Sequence, residues 1–285
     1  MDITEITRQT LDLRPLRKGP GHKYDHGHAL VLSGGAGRSG AARMAARGAL
    51  RIGAGAVTLG VPPAAQLEVA MQVTAVMLQR VPDGAALTEA LKDRRISALC
   101  LGPGLGLGDR AYSMVAAALA APRLVLDADA ITILAKDDAL RAKLHPGAVL
   151  TPHGGEFARL APDLAEMAKD DRADAKAEAA ERAAARLNCV LLLKGPETVI
   201  AAPDGRTLRH RATEDRATPW LATAGAGDVL SGFITGLLAR GIAPPPEAAA
   251  LATYLHAEAA RAHGPGLIAE DLPELLPQVL RQLGI

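Results

Sequence analysis

ALVLSGGAGRSGAARMAARGALRIGAGAVTLGVP, residues 29–62, is the stretch of sequence that decides the fold. It opens with a short apolar run that stops at the glycine pair Gly34 and Gly35, and it closes with a second apolar run that stops at Pro62. The alanine-rich segment between the two runs has the composition of a helix. Continuous apolar runs of this length are typical of strands that are covered on both faces. The stretch therefore predicts a strand, a crossover helix and a second strand parallel to the first.

The same alternation continues along the rest of the chain. Five further apolar runs are each stopped by Gly, Pro or Asp, and they read ALCLGPG, RLVLDADA, AVLTPH, CVLLLKG and TVIAAPDG. Helical segments lie between the runs, and we expect residues 162–187 to form a charged, solvated helix without chemistry. The sequence predicts an α/β fold: a doubly wound, mainly parallel sheet with helices on both faces, and a single domain over residues 1–285.

Composition excludes several classes of partner. The 285 residues carry 32 Lys and Arg against 31 Asp and Glu, a formal net charge of +1 that gives no basic field for nucleic acid or an anionic membrane. Aromatic residues make up only 2%, too few for the stacking platforms of nucleic-acid binding. Because 49% of the residues are hydrophobic, a large core is expected and disorder is excluded as the main state.

The cysteines and the N-terminus indicate the compartment. Cys100 and Cys189 each sit in an apolar run, so we expect small buried hydrophobes in a reducing compartment and neither a disulfide nor a zinc site. The N-terminal residues lack a signal-peptide pattern. Residues 221–239 have the length of a membrane span but carry Asp228 and several glycines. We therefore expect a cytoplasmic protein.

The strongest candidate site is TAGAGDVLSGF, residues 223–233. Ligands of open parallel sheets bind beyond the carboxyl ends of the strands, where glycines and polar residues follow the apolar runs. Here Gly225 and Gly227 let backbone amides approach a ligand, and the helix that follows offers unpaired N–H donors to an anion. Asp228 could serve there as the base for a hydroxyl that is about to be phosphorylated. The alternative is that Asp228 only caps the helix.

Two loops offer weaker signals. LGPGLGLGD, residues 101–109, is either a floor for a nucleotide-like ligand or a flexible turn, and the chain has no P-loop pattern. VLDADA, residues 125–130, places Asp127 and Asp129 on one side of a strand end. They could bind a metal through water, or Asp129 could cap the next helix.

Three further segments carry polar candidates. In TPHGGEFARL, residues 151–160, His153 could lie against a ligand ring or phosphate, while the lack of a second His at metal-ligand spacing disfavours zinc. In LLLKGPETVI, residues 191–200, Lys194 either reaches a phosphate or is a solvated turn residue. Near the start, the sequence collects the polar residues His22, Lys23, Asp25 and His28.

Read together, these segments resemble one family over nearly the full chain, from about residue 18 to about residue 283. The combination of TPHGGE, KGPET and GAGDVLSG in this order is similar to that of the NAD(P)H-hydrate dehydratases, the carboxyl-terminal half of two-domain hydrate repair proteins. The resemblance implies a ribokinase-like fold. We expect the epimerase half to be absent and a separate epimerase to act in the same repair.

The resemblance also implies a reaction. Members of the family phosphorylate the ring hydroxyl of the S-form of NADH hydrate or NADPH hydrate, and loss of phosphate restores the reduced cofactor. Asp228 would be the base, and the amides from Ala224 to Gly227 would steady the phosphoryl group. The TPH form of the motif is similar to that of the branch that uses ADP, whereas relatives with Asn in place of His use ATP. Magnesium is expected without assignable ligands, and a homotetramer is expected.

Binding residues are carried over from the family by position. The resemblance places the hydrate and the nucleotide on two separate sets of residues. The hydrate would contact Ala41, Gly104, His153 and Asp228. The nucleotide would contact Lys194, Gly195, Pro196, Glu197, Thr198, Gly225 and Gly227.

The chain departs from the family pattern at four positions. Gly154 stands where Pro is usual, Ala226 where Thr or Ser is usual, and Thr218 and Trp220 where Asn and Gly are usual. Ala226 removes one possible phosphate contact but leaves the backbone donors. Trp220, the one tryptophan of the sequence, either covers the nucleotide or fills the core.

Two other functions compete with the dehydratase. A small-molecule kinase of the same fold, acting on a vitamin-precursor alcohol, would need the same anion site and base, so GAGD does not discriminate. A non-catalytic nucleotide-binding regulator would bind adenine nucleotide without turnover. TPHGGEFARL and HGHALVLSGG favour the dehydratase.

Overall fold

A ten-stranded sheet forms the centre of the computed structural model, which describes residues 2–170 and 172–285. The strands alternate along the chain with the helices that cover them. In chain order they are β1 (Ile3–Glu5), β2 (His28–Leu32), β3 (Ala56–Val61), β4 (Met77–Arg80), β5 (Ala98–Leu101), β6 (Leu124–Leu126), β7 (Ala148–Leu150), β8 (Val190–Leu193), β9 (Glu197–Ala201) and β10 (Thr207–Arg211).

Eleven α-helices and seven short 3-10 helices connect the strands in the described residues. The α-helices are α1 (Gly40–Arg51), α2 (Gln66–Ala70), α3 (Gly84–Ala90), α4 (Asp109–Ala118), α5 (Ala128–Lys136), α6 (Asp138–Arg141), α7 (Gly154–Leu160), α8 (Ala175–Leu187), α9 (Ala226–Arg240), α10 (Pro245–His263) and α11 (Asp271–Gln282). The 3-10 helices span Arg14–Leu16, Lys23–His26, Pro63–Ala65, Pro162–Leu164, Met167–Lys169, Glu214–Arg216 and Pro219–Leu221.

The strand order contains a reversal that positions the site. Across the sheet the order is β1-β10-β9-β8-β7-β6-β5-β2-β3-β4, and all neighbours are parallel except β8–β9 and β9–β10. The chain first builds outward from β2 to β4, then returns to the other side of β2 and builds toward β8. The strand order therefore reverses between β2 and β5, and the carboxyl edge of a parallel sheet at such a reversal is where ligands bind.

Alternate residues of the central strands belong to two separate cores. Val31, Cys100 and Val125 face one core together with α1, α9, α10 and α11. Leu30 and Leu101 face the other core together with α3, α4, α5, α7 and α8. Since both faces of the sheet are buried under helices, the continuous apolar runs of the sequence have their expected explanation. The predicted doubly wound, mainly parallel sheet is confirmed.

Helix α9 is fitted against its neighbours at both ends. An ideal Cβ at Gly232 would lie 2.1 Å from the carbonyl oxygen of Ala45, and one at Gly236 would lie 2.4 Å from Ile52 Cγ2, so α1 and α9 approach through glycines. At the far end the Ser97 hydroxyl donates to the carbonyl of Ala239 at 2.8 Å. The axial position of α9 is therefore fixed by close backbone contact.

The structure corrects the expectation for residues 162–187. They do not form one helix, because two 3-10 helices precede α8, which begins only at Ala175. Asp171, within this range, lies outside the described residues. Helix α8 is also not simply solvated, since six of its alanines are buried in the core. Because the segment is highly charged, its composition does not reveal that α8 has a buried face made of alanines.

Candidate active site

The amino end of α9 forms an anion site. Gly225 caps the helix in the left-handed conformation with φ of +91°, and an ideal Cβ there would lie 2.5 Å from Met44 Cε. Glycine is therefore required at this position for both conformation and space. The first amides of α9 have no partners within the helix, and they carry the positive end of the helix dipole. The arrangement suits a phosphoryl group.

Lys194 lies beside this helix end. It follows β8 directly, and an ideal Cβ at Gly227 would lie 3.3 Å from its ammonium nitrogen. The ammonium donates to Asp127 Oδ1 at 3.0 Å. Lys194 therefore lies beside the first turn of α9 in an ion pair with Asp127, so it is not a freely solvated turn residue.

Asp228 stands in the first turn of α9, next to the anion site. Burial raises the pKa of its carboxyl to about 7, with a further rise from the Asp127 and Glu156 carboxylates and a partial offset from the Lys194 ammonium. A carboxylate with a pKa near neutrality can take a proton and later release it. The residue does not act as the helix cap, since Gly225 occupies that position.

The reversal point of the sheet brings two predicted substrate residues together. Gly104 has φ of +65°, and an ideal Cβ there would lie 3.8 Å from Cβ of Ala41, the second residue of α1. At the same crossing an ideal Cβ at Gly34 would lie 1.9 Å from the Gly104 carbonyl oxygen. The loops after β2 and β5 can pass this closely only because both positions lack side chains.

His153 opens α7 and keeps one ring nitrogen available. Its Nδ1 accepts from the amide of Gly155 at 2.9 Å, while Glu156 accepts from the His153 amide at 2.9 Å to complete a capping box. Since Nδ1 acts as an acceptor, the neutral ring carries its proton on Nε2. Nε2 lies 3.6 Å from Glu156 Oε1, which is longer than a hydrogen bond, and the side chain is 57% exposed, so Nε2–H can still donate to a ligand.

A cavity of about 580 Å³ adjoins the amino end of α9. Five of the predicted nucleotide residues line it. These are Lys194, Gly195, Pro196, Thr198 and Gly227. The remaining wall comes from β10, from residues 212–222, from α9 and from α10, and the cavity is large enough for a nucleoside. Gly225 is outside the lining and caps α9 instead.

Two histidines of the cavity wall were missed by the sequence analysis. His210 on β10 and His256 on α10 are both buried, and burial lowers the pKa of each to about 4, so both rings are neutral at pH 7. His256 Nε2 contacts the carbonyl oxygen of Ala226 at 2.9 Å and steadies the first turn of α9. Neither histidine stands in a recognisable motif, so no local signal could have found them.

The turn between β8 and β9 is held by a lysine that the sequence analysis treated as solvated. Lys176 is largely buried, which lowers its pKa, and its ammonium donates to the carbonyls of Lys194, at 3.3 Å, and of Glu197. The carboxylate of Glu197 turns away from the cavity and accepts from Arg211 at 3.1 Å. The backbone of the turn, rather than the Glu197 side chain, therefore faces the ligand space.

Comparison with known proteins identifies the family. A family model described as NAD(P)H-hydrate dehydratase matches residues 29–278. The chain belongs to the NAD(P)H-hydrate dehydratase family.

Individual relatives agree with this membership. The bifunctional NAD(P)H-hydrate repair enzyme of Moorella thermoacetica is 40% identical over 94% of this chain and 52% of its own, so the chain spans about half the length of that curated relative. The ADP-dependent (S)-NAD(P)H-hydrate dehydratase of Xanthomonas campestris is 31% identical over 99% of this chain and 97% of its own. A crystal structure of the ADP/ATP-dependent NAD(P)H-hydrate dehydratase from Bacillus subtilis, co-crystallised with ATP/Mg2+, is 29% identical with a TM-score of 0.80 and covers 99% of both chains. The predicted ribokinase-like α/β fold is confirmed.

Two departures from the dehydratase family pattern have structural explanations. Gly154 is the first residue of α7, and nothing lies within 4 Å of an ideal Cβ there, so the missing proline leaves free space. Trp220 is 48% exposed, so the interpretation that it fills the core is wrong. Its neighbours Pro219 and Leu221 line the cavity, whereas Trp220 itself lines a separate surface depression together with Gly266 and Leu267.

Two other expectations are corrected. Asp127 and Asp129 do not share one site, because Asp127 points to Lys194 while Asp129 accepts from the Gly106 amide at 2.7 Å. Asp127, not Asp129, is the cap of α5. The polar group near the start of the chain lies elsewhere, since His28 begins β2 at the amino edge of the sheet and bonds to Thr58.

The described residues meet the requirements of neither a protein-built metal site nor a membrane-spanning helix. In the part of the chain that the structure describes, no three or more His, Cys, Asp or Glu side chains are grouped so as to hold a metal. Mg²⁺ commonly binds substrate phosphates and water with few protein ligands. None of the described helices is both long and apolar enough to cross a bilayer.

Proposed function

We propose that this chain restores NAD(P)H from the S-form of NAD(P)H hydrate, with ADP as the phosphoryl donor. The observation that carries the proposal is the position of Asp228. This carboxyl, with a pKa of about 7, stands in the first turn of α9, near the charged groups of Asp127 and Lys194, and the preceding residue, Gly227, lines the nucleotide-sized cavity. The Xanthomonas relative, matched over nearly its whole length, carries the same activity in its name.

The first step transfers a phosphoryl group. Asp228 accepts the proton of the ring hydroxyl, and the hydroxyl oxygen forms a bond to the terminal phosphorus of ADP while the bond from that phosphorus to the AMP oxygen breaks. The amides at the start of α9 and the Lys194 ammonium bind the phosphoryl oxygens and offset their charge. Mg²⁺, when bound with the nucleotide, neutralises further phosphate charge.

The second step is an elimination. The carbon–oxygen bond to the new phosphate breaks and phosphate leaves with its electron pair, while the neighbouring ring carbon gives its proton to water and the electrons of that carbon–hydrogen bond form the ring double bond. Phosphate leaves far more readily than hydroxide, and this is the chemical reason for phosphorylating the hydroxyl before the elimination. His153 Nε2–H and the backbone around Gly104 and Ala41 would hold the hydrate in place.

The remaining expectations stand as parts of the proposal. We place the reaction in the cytoplasm, which the two buried free cysteines support. We also propose a homotetramer and a functional pairing with an NAD(P)H-hydrate epimerase. The name of the bifunctional Moorella relative supports the pairing.

The test is recovery of the dihydronicotinamide absorbance after purified protein and Mg²⁺ are mixed with NADH hydrate and either ADP or ATP. We expect recovery with ADP. Recovery with ATP alone would keep the reaction and change the donor. Nucleotide consumption on a vitamin-precursor alcohol, without recovery, would support the kinase alternative.

Asp228→Asn tests the assigned base. We expect turnover to fall by at least about a thousandfold while ADP affinity stays within a few fold, because the amide cannot accept the proton. Asp138→Asn, in the exposed first turn of α6, is the matched control and keeps full activity. Equal rates in both variants would support a non-catalytic nucleotide-binding role for the motif.

A further inference from the structure

Asp127 uses both carboxylate oxygens to join three elements. Oδ1 accepts from the Lys194 ammonium at 3.0 Å and from the Ala128 amide at 2.9 Å, and Oδ2 accepts from the Ser231 hydroxyl at 2.7 Å. The residue is only 2% exposed. It therefore connects the end of β6, the end of β8 and the first turns of α9.

Helix capping alone does not account for a charged residue at this position. The cap of α5 needs one acceptor, and Asn provides it as well as Asp. A buried ion pair contributes little to stability compared with uncharged packing. The Ala128 residue that follows also adopts the unfavourable left-handed conformation, with φ of +47°. Such costs are typical of positions that serve a site.

The charges that act on Asp228 come from three neighbouring parts of the chain. Asp127 before α5 and Glu156 on α7 bring negative charge, Lys194 at the end of β8 brings positive charge, and Asp228 itself lies on α9. Among these neighbours Asp127 has the largest effect on the pKa of Asp228. Lys194 is also the hydrogen-bond partner of Asp127, so one carboxylate acts on both groups of the proposed reaction.

We propose that Asp127 is the positioning residue of this site, which fixes the Lys194 ammonium beside Gly227 and keeps the base Asp228 in a negative environment. The proposal rests on the proposed function for the identity of the reaction. The geometry itself does not depend on the substrate. Without Asp127 the ammonium has no fixed partner beside α9, and Asp228 loses its strongest negative neighbour.

The first test is a direct titration of Asp228 by carboxyl ¹³C NMR, with the signal assigned by its loss in Asp228→Asn. In Asp127→Asn, which keeps the α5 cap, we expect the midpoint to fall by about one pH unit, because a nearby like charge is removed. Asp137→Asn, the same change at the cap of α6, is the control and leaves the midpoint in place. An unmoved midpoint in Asp127→Asn overturns the proposal.

The second test is kinetic. We expect Asp127→Asn to lower kcat at least tenfold and to move the acidic limb of the kcat profile to lower pH. Ser231→Ala, which keeps the Asp127 charge, should lower kcat without moving the acidic limb of the kcat profile to lower pH. A raised KM for ADP with an unmoved limb would assign Asp127 a structural role only.

The two tests separate this proposal from the proposed function. If the wild-type protein does not convert NADH hydrate, the proposed function fails, while the NMR titration still decides the effect of Asp127 on Asp228. If the wild type turns over and the midpoint does not move, the reaction stands and the role of Asp127 is refuted.

Discussion

At the scale of single residues, the raised pKa of Asp228 has a consequence for stability. Its carboxyl titrates near pH 7 in the folded protein, against an ordinary value of 3.8. Between these values the folded chain holds a proton that the unfolded chain has released, so folding stability from this group decreases as pH rises. The ionised base is therefore a destabilising group at neutral and alkaline pH, which is common at active sites.

We predict that Asp228→Asn is more stable than the wild type at pH 8, by about 1–2 kcal/mol, since solvent screening reduces the full effect of the shift. Thermal unfolding of both proteins at pH 8 and at pH 5 measures this difference in stability. The gap in Tm should narrow at pH 5, where the folded wild type already holds the proton. A variant less stable than the wild type at pH 8 would contradict the assignment of a buried, raised carboxyl.

The residues that the sequence could predict are those whose chemistry is local. Asp228, Gly225 and Gly227 stand in one motif, and the structure places them together at one helix end. The partners of Asp127 lie 67 and 104 residues away along the chain, so no spacing rule could reveal that network. Long-range contacts of buried polar groups are decided by the tertiary fold.

At the scale of elements, the first turn of α7 has room for proline. Gly154 is the first helical residue, nothing lies within 4 Å of an ideal Cβ, and the preceding residue, His153, has the extended conformation that proline requires. We predict that Gly154→Pro stabilises the protein by about 0.5–1 kcal/mol, because it restricts the unfolded chain. A rise in Tm would show it.

The neighbouring glycine is the control. The Gly155 amide donates to His153 Nδ1, and proline has no amide hydrogen to donate. Gly155→Pro should therefore lower Tm. If both variants lost stability, the first turn of α7 would differ from the arrangement described.

The crossing of the loops after β2 and β5 offers a second matched pair. A methyl group at Gly34 would meet the Gly104 carbonyl, whereas nothing lies within 4 Å of an ideal Cβ at Gly35. We predict that Gly34→Ala costs about 1–3 kcal/mol through overpacking and raises the KM for the hydrate more than the KM for ADP. Gly35→Ala should behave as the wild type in unfolding and kinetic assays.

The elements that the sequence analysis failed to predict are β1, β4 and β10. None is a fully buried apolar run: β1 and β4 are the short edges of the sheet, and β10 carries Arg209, His210 and Arg211. An edge strand needs apolar residues on fewer sides, so its composition resembles that of a loop. The central strands were predictable because helices cover both of their faces.

At the scale of the whole molecule, the reactivity of the two cysteines can be used to measure unfolding of the sheet. Cys100 on β5 and Cys189 before β8 are fully buried, and burial raises the pKa of Cys100 to about 12 and that of Cys189 further still. We predict that the native protein reacts with a thiol reagent only when it unfolds. ADP should slow the reaction of the thiols with the reagent at pH 8, because ADP binds the folded protein and so lowers the unfolded fraction.

Labelling in the presence and absence of ADP, with a fully denatured sample as the reference, measures this rate. Immediate reaction of one thiol in the native protein would contradict its burial. An ADP-independent rate would mean that both thiols become accessible without loss of the nucleotide cavity.

The close fit of α9 against α1 limits how enzymes of this architecture can change during evolution. Gly232 and Gly236 leave no room for side chains, and the far end of the helix is bonded to Ser97. Mutations that shift this helix would be lost with the fold, so inherited variation in substrate preference has to accumulate elsewhere. The segment from 212 to 222, which lines the nucleotide cavity and contains the exposed Trp220, is free of that restriction. New specificities should therefore arise by substitutions in this loop while the chemistry at the helix stays constant.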